Sequence, residues 1–152
     1  MDEKRNEKVC SKENIRRRYT VICVVSNKKV INTKIIQGSC CAIKFQEFLE
    51  DTINKLNKNK TYSILLDNAK IHKSKIIQKY LETQSKLKFI YNVAYSPEYN
   101  PIEYVFSKTK TQIRNKRITN KNIKKNIKYS FNKVTKTDLK NYFNKCLSTL
   151  NN

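Results

Sequence analysis

The sequence predicts an α/β fold, and three observations carry that prediction. Two β-branched apolar runs follow one another at residues 19–26 and 30–37, a strand-helix-strand pattern surrounds Asp67, and the last third repeats apolar residues at helical spacing. A chain of 152 residues is long enough for one domain with a real core and too short for two comfortable ones.

Residues 1–18 are almost wholly polar, with only Val9, Cys10 and Ile15 to bury, and read as a polar lead-in. The runs at 19–26 and 30–37, separated by Asn27-Lys28-Lys29, predict an antiparallel hairpin, and Gly38, the only glycine, marks its exit. Over 42–56 the positions Phe45, Phe48, Leu49, Thr52, Ile53 and Leu56 recur at helical spacing, which predicts a helix with one packed face. Residues 57–60 form a polar connector, and the continuous apolar run at 62–66 suits a buried strand that ends at Asp67.

Ile76, Ile77, Tyr80 and Leu81 define a second helix over roughly 73–83, and 87–93 is a further strand, giving a β-α-β unit and so a parallel pair. A third helix is expected from Asn100 to about Lys116. Two more amphipathic helices follow, one carrying Ile123, Ile127 and Phe131, the other Leu139, Tyr142, Phe143, Cys146, Leu147 and Leu150.

The charge is lopsided: 33 Lys and Arg against 12 Asp and Glu give a formal +21. Such a surface attracts polyanions through counterion release, which makes nucleic acid the natural partner. A genome rich in adenine and thymine raises Lys, Asn and Ile together, so the charge supports DNA binding without proving it. The five cysteines are odd in number and lack CxxC spacing, and His72 has no second imidazole to share a zinc site, so reduced thiols are expected. With charge from Asp2 onward and no run of about 18 apolar residues, neither a signal peptide nor a membrane span is expected. The corresponding reading is an intracellular protein, nuclear if the source is eukaryotic.

Two carboxylates stand out. Asp67 falls at the carboxyl end of a predicted strand, where α/β sheets collect ligands, although Asp there also serves as an N-cap for the next helix. Glu103 stands at the third position of a helix opened by Asn100-Pro101, which fits a capping box equally well. Neither residue is decisive alone.

Their combination is more specific. Leu-Leu-Asp-Asn-Ala-Lys-Ile-His at 65–72 and Tyr-Ser-Pro-Glu-Tyr-Asn-Pro-Ile-Glu at 95–103 bracket a helix and a strand. This arrangement resembles the DDE-type transposases of the mariner superfamily and their bacterial insertion-sequence relatives, over residues 19–116. The resemblance implies that Asp67 and Glu103 are the second and third catalytic carboxylates and metal ligands. It also implies a ribonuclease H-like fold, a mixed five-stranded sheet flanked by helices, whose first, central strand carries the first catalytic aspartate.

Residues 1–18 hold no apolar run to form that strand, so the expectation is an N-terminally truncated catalytic core over 19–118 that lacks its first central strand, followed by basic C-terminal helices over 119–152. Asp2, followed by Glu3, is the one candidate for the first aspartate. The helix-turn-helix region that precedes the catalytic domain in full-length relatives is likewise not seen, so site-specific recognition is expected to be lost. His72 completes the Asp-Asn-Ala-x-x-His motif but is read as a hydrogen-bonding or packing residue, and Asn68 and Asn100 as turn-shaping residues.

The implied cofactor is a pair of Mg2+ or Mn2+ ions about 4 Å apart, which suits hard carboxylate oxygens. The implied activity is metal-dependent DNA strand cleavage and transfer in transposition, with this chain expected inactive, or nearly so, by itself. DNA is the expected partner, a homodimer stays open, and neither a membrane nor a small-molecule substrate is expected. The alternative is a non-enzymatic nucleic-acid-binding remnant or domesticated fragment, with Lys108, Lys110, Arg114, Lys116 and Arg117 on phosphates.

Overall fold

In a computed structural model the described residues are 18–116, 119 and 121–150. Strands β1 (Tyr19–Val25) and β2 (Val30–Gln37) form the expected antiparallel hairpin. Its turn is built on Ser26, whose N–H donates to Lys29 O at 2.9 Å and whose Oγ accepts the N–H groups of Lys28 and Lys29, each at 3.2 Å. The register runs from Tyr19 opposite Gln37 to Val24 opposite Asn32 and then shifts, so that Val25 faces Val30. Gly38 leaves β2 with φ 86, a left-handed conformation open to glycine, and its N–H donates to Arg18 O at 2.8 Å.

The hairpin is apolar on both faces because each covers a different core. Ile22 and Val24 point to a core of Phe45, Phe48, Leu49, Ile64, Ile77 and Leu87. Val21, Cys23 and Val25 point the other way, to Val105, Ile127, Phe131 and Leu139. The first core is made by helix α1 (Ala42–Asn54), strands β3 (Tyr62–Leu66) and β4 (Leu87–Tyr91), and helix α2 (Lys75–Glu82). Helices α3 (Pro101–Arg114), α4 (Ile123–Asn132) and α5 (Lys136–Leu150) make the second. Full burial of Phe48, Leu49 and Ile77 contributes about 1.5–3 kcal/mol each.

Strands β3 and β4 pair in parallel, with Tyr62 opposite Leu87 and Leu66 opposite Tyr91, as the β-α-β pattern requires. The four described strands form two pairs rather than one sheet. Among the described residues β1 pairs only with β2 and β3 only with β4, and no strand joins the pairs. A two-stranded pair alone is marginal in water, so each depends on the helices packed against it, α1 above all. Residues 1–17, including Asp2, lie outside the described residues.

Element boundaries differ from the sequence expectation in two informative places. The second helix begins at Lys75 because Ser74 is extended (φ -67, ψ 150), with a single 3-10 turn, Lys70–Lys73, before it. Strand β4 stops at Tyr91, and the next residue, Asn92, donates its N–H to Leu66 O and its side-chain amide to Ser96 O. Cys23, Cys40, Cys41 and Cys146 are free thiols, in agreement with the sequence reading, and Cys10 lies outside the described residues. No helix among the described residues is long and apolar enough to cross a membrane.

Candidate active site

Asp67 follows directly on β3, beyond the strand's carboxyl end. The N-cap alternative does not hold: the N-cap positions of the 3-10 turn and of α2 are Ala69 and Ser74, neither with a side-chain cap bond, and Asp67 stands at neither. Its Oδ1 instead accepts the Ala69 N–H at 3.1 Å and lies 2.9 Å from His72 Nδ1, which is also 3.2 Å from Asp67 O. Both neighbours are acceptors, so Nδ1 carries the hydrogen and donates. Oδ2 has no partner among the described residues, and the side chain is 61% exposed.

His72 is fixed from two other sides. Its ring packs against Phe45 of α1 with centroids 4.6 Å apart, and its carbonyl accepts the Tyr91 hydroxyl at 3.1 Å. The expectation of a hydrogen-bonding and packing residue is therefore met. What the sequence does not reveal is that its hydrogen-bond partner is the Asp67 carboxylate. The spacing of five residues across a turn was the available signal.

Glu103 stands in the first turn of α3. The helix starts as expected, with Pro101 at its first position and the Asn100 Oδ1 accepting the Ile102 N–H at 3.3 Å. The reciprocal half of a capping box is missing, because the Asn100 N–H donates to Pro97 O at 2.9 Å rather than to Glu103. The Glu103 carboxylate thus has no partner among the described residues, and it is exposed. Val105, two positions on, is fully buried, which turns Glu103 to the opposite side of the helix.

The hub between the two carboxylates is Asn92, which the sequence does not mark. Its N–H donates to Leu66 O at 2.7 Å, its carbonyl accepts the Asn68 side-chain amide at 2.6 Å, and its own amide donates to Ser96 O at 2.7 Å. The residue after Asp67 is thereby tied to the residue after β4, and that residue to the turn that launches α3. The motif asparagines do shape turns, as expected of Asn68 and Asn100. Lys73 adds a bond from Nζ to Asn68 Oδ1 at 2.7 Å.

Asp67 and Glu103 supply hard oxygen donors with open valences, which suits Mg2+ or Mn2+ rather than a soft metal. Among the described residues no three His, Cys, Asp or Glu side chains gather into a metal-binding group. A cavity of about 240 Å³ lined by Leu56, Lys60, Tyr62, Gln84 and Leu87 lies at the opposite, amino ends of β3 and β4, away from both carboxylates.

The basic residues divide. Lys108, expected on phosphates, instead pairs with Asp138 of α5, and Lys116 lies over the Tyr129 ring, 3.6 Å from its centroid. Lys110 and Arg114 are exposed, and Arg117 lies outside the described residues.

A parallel β-α-β unit thus links Asp67 to the helix that carries Glu103. The family model described as DDE superfamily endonuclease matches residues 2–124, and the chain belongs to that family. Solved structures with the same fold include the Mos1 mariner paired end complex with Mn, 18% identical, with a TM-score of 0.76 over 91% of this chain and 44% of that one. The Mos1 transposase catalytic domain with Raltegravir and Mg is also 18% identical, with a TM-score of 0.72 over 88% of this chain and 75% of that one. The Mos1 Strand Transfer Complex is 17% identical, with a TM-score of 0.74 over 99% and 46%. This chain therefore shares the fold of the Mos1 transposase catalytic domain, and spans under half the length of the Mos1 chains in the paired end and strand transfer complexes. No curated protein sequence matches it.

Proposed function

We propose that this chain is a metal-dependent catalytic domain for DNA strand cleavage and transfer, with Asp67 and Glu103 as its metal-binding carboxylates. What supports the reading is that Asp67 follows β3 at its carboxyl end, that the Asn92 bonds link that end to the turn before the helix bearing Glu103, and that both carboxylates keep oxygens without a partner among the described residues. Among the described residues Asp67 has partners on one oxygen only and Glu103 on neither, so a cation can replace water on them without breaking a protein contact, in contrast to Asp138, which Thr135 and Lys108 occupy.

Asp67 and Glu103 would hold Mg2+ or Mn2+, which when bound activates an attacking oxygen and stabilises the leaving oxygen of a phosphodiester. The chain's own contribution is positioning. His72 and the Ala69 N–H fix Asp67 Oδ1 and so aim Oδ2 outward. The Asn92 bonds keep the α3 start in register with the end of β3. Asp2, the one sequence candidate for the family's first aspartate, lies outside the described residues. DNA is the substrate that the charge of +21 fits, and the Mos1 structures are of a paired end and a strand transfer complex.

A non-enzymatic DNA binder is favoured by a different observation: between Tyr104 and Leu150 the only acidic residue is Asp138, and Lys108 neutralises it. Incubation of the purified protein with supercoiled plasmid and Mn2+ separates the readings. Nicking that disappears in Asp67→Ala and Glu103→Gln, with DNA affinity retained, is expected of the enzyme. Binding that weakens steeply with salt, needs no metal and is accompanied by no nicking would leave only the binding module.

A further inference from the structure

We propose that Tyr95 is a stacking platform for an unpaired DNA base at the mouth of the candidate site, an inference that rests on the DNA-cleavage reading above. Tyr95 is 103% exposed, and its ring touches no other ring or cation among the described residues. Its φ of 58 makes it the one described non-glycine residue in the left-handed region. Glycine and asparagine accept that conformation readily, whereas a bulky aromatic rarely does. The same loop has Asn at 92 and 100, yet the left-handed position carries Tyr.

Nothing in the surrounding fold rewards the ring for being there. The loop is braced without it: Asn92 bonds Leu66, Asn68 and Ser96, the Ser96 hydroxyl donates to Ala94 O at 3.3 Å, and Asn100 N–H donates to Pro97 O. A rigid loop, an unfavourable backbone angle and an unpacked aromatic together describe a side chain held out for something else. Conformations of this kind persist where the surroundings over-determine them, and they concentrate at functional positions.

Position and charge select the partner. Tyr95 lies between Asn92, which is bonded to the residue after Asp67, and the helix that carries Glu103. Lys73 reaches the same hub through Asn68, two hydrogen bonds away. Chemistry on one strand of a duplex requires local unpairing, and a freed base finds in an exposed aromatic a partner that tolerates any sequence. Val93, 62% exposed, extends the apolar surface on the approach to the ring.

The test uses the whole chain in Mn2+ with two labelled duplexes, one fully paired and one with a single unpaired 2-aminopurine, read by anisotropy and 2-aminopurine fluorescence. Wild type and Tyr95→Phe should prefer the unpaired-base duplex and alter its fluorescence. Tyr95→Asn, which suits the left-handed backbone, should lose that preference by about tenfold. It should bind the paired duplex as before and melt at the same or a higher temperature. A preference that survives in Tyr95→Asn beside Asp67-dependent nicking overturns the stacking role alone. A lower melting temperature in Tyr95→Asn would mean that the ring holds the loop, and a loss of dimer without loss of preference would make it a contact between copies; either overturns the proposal. If wild type binds neither duplex, the DNA-cleavage reading fails and the stack fails with it.

Discussion

His72 donates its Nδ1 hydrogen to Oδ1 of Asp67 across 2.9 Å, and that bond together with the Ala69 N–H leaves Oδ2 as the open face of the carboxylate. A side chain that orients a metal-binding carboxylate from behind commonly changes metal affinity or activity by about 10- to 100-fold when removed. His72→Phe keeps a ring against Phe45 and deletes the donor. It should raise the Mn2+ concentration needed for half-maximal binding by that factor while leaving the melting temperature within a few degrees. His72→Asn, which can restore an N–H near the Nδ1 position, should recover part of the loss. Equal Mn2+ requirements in all three proteins would show that Asp67 needs no such support.

A second relationship sits inside the first core. Thr52 is fully buried, its hydroxyl accepts the Asn32 side-chain amide at 2.9 Å and donates to Phe48 O at 2.7 Å, and Lys55 Nζ donates to Asn32 Oδ1 at 2.6 Å. Thr52→Val fills the same space but leaves a buried amide of Asn32 unpaired, which costs about 1–3 kcal/mol. Denaturant unfolding should show that loss. The double variant Asn32→Leu/Thr52→Val should recover part of it, because neither polar group then remains to be satisfied. Simple additivity of the two single losses would argue against the pair.

Thr52 also shows how far the sequence could be read. Its helical spacing with Phe45, Phe48 and Leu49 places it correctly on the packed face, because periodicity reports direction. That it is there for a hydrogen bond to β2 depends on a contact twenty residues away, which periodicity does not report. The strands were legible for the same reason, since the β-branched runs over Tyr19–Val25 and Val30–Gln37 pair as expected. The division of the hairpin's faces between two cores was not, because it is decided by helices far along the chain.

At the site, motif spacing singles out Asp67 and Glu103, and the helix-capping bonds that Asp and Glu also suit are not made by either. Both carboxylates stand where Asp and Glu often cap helices. The N-cap positions fall instead at Ala69, Ser74 and Asn100, of which only Asn100 makes a side-chain cap bond, and the Asn100 N–H donates to Pro97 O rather than to Glu103. Asn92 carries no sequence signal of its own, and the motif that Tyr95 opens does not disclose its backbone conformation. One acts through three bonds to distant segments, the other through a backbone angle.

Asp138 joins two helices by one oxygen, and its stability contribution has a defined pH dependence. Its Oδ2 accepts the Thr135 N–H and hydroxyl, each at 2.8 Å, and pairs with Lys108 of α3, while the Asp138 N–H donates to Thr135 Oγ1 at 3.1 Å. This is a capping box at the start of α5, extended to a neighbouring helix. The Lys108 hydrogen bond is the main cause that holds the carboxyl below its ordinary 3.8, against the upward push of burial. In the folded chain the carboxyl therefore protonates at a lower pH than in the unfolded chain. Above 3.8 the contribution is fully present. As the pH falls below that value the unfolded state takes up the proton first, and the contribution is lost by the time the folded carboxyl is protonated as well. Asp138→Asn should cost about 1–2 kcal/mol at neutral pH, as a weakened cap and a lost ion pair. Its melting temperature should also fall less than that of wild type between pH 4 and pH 2. Parallel curves for the two proteins across that window would mean that Asp138 is not the group whose protonation loosens α5 from α3.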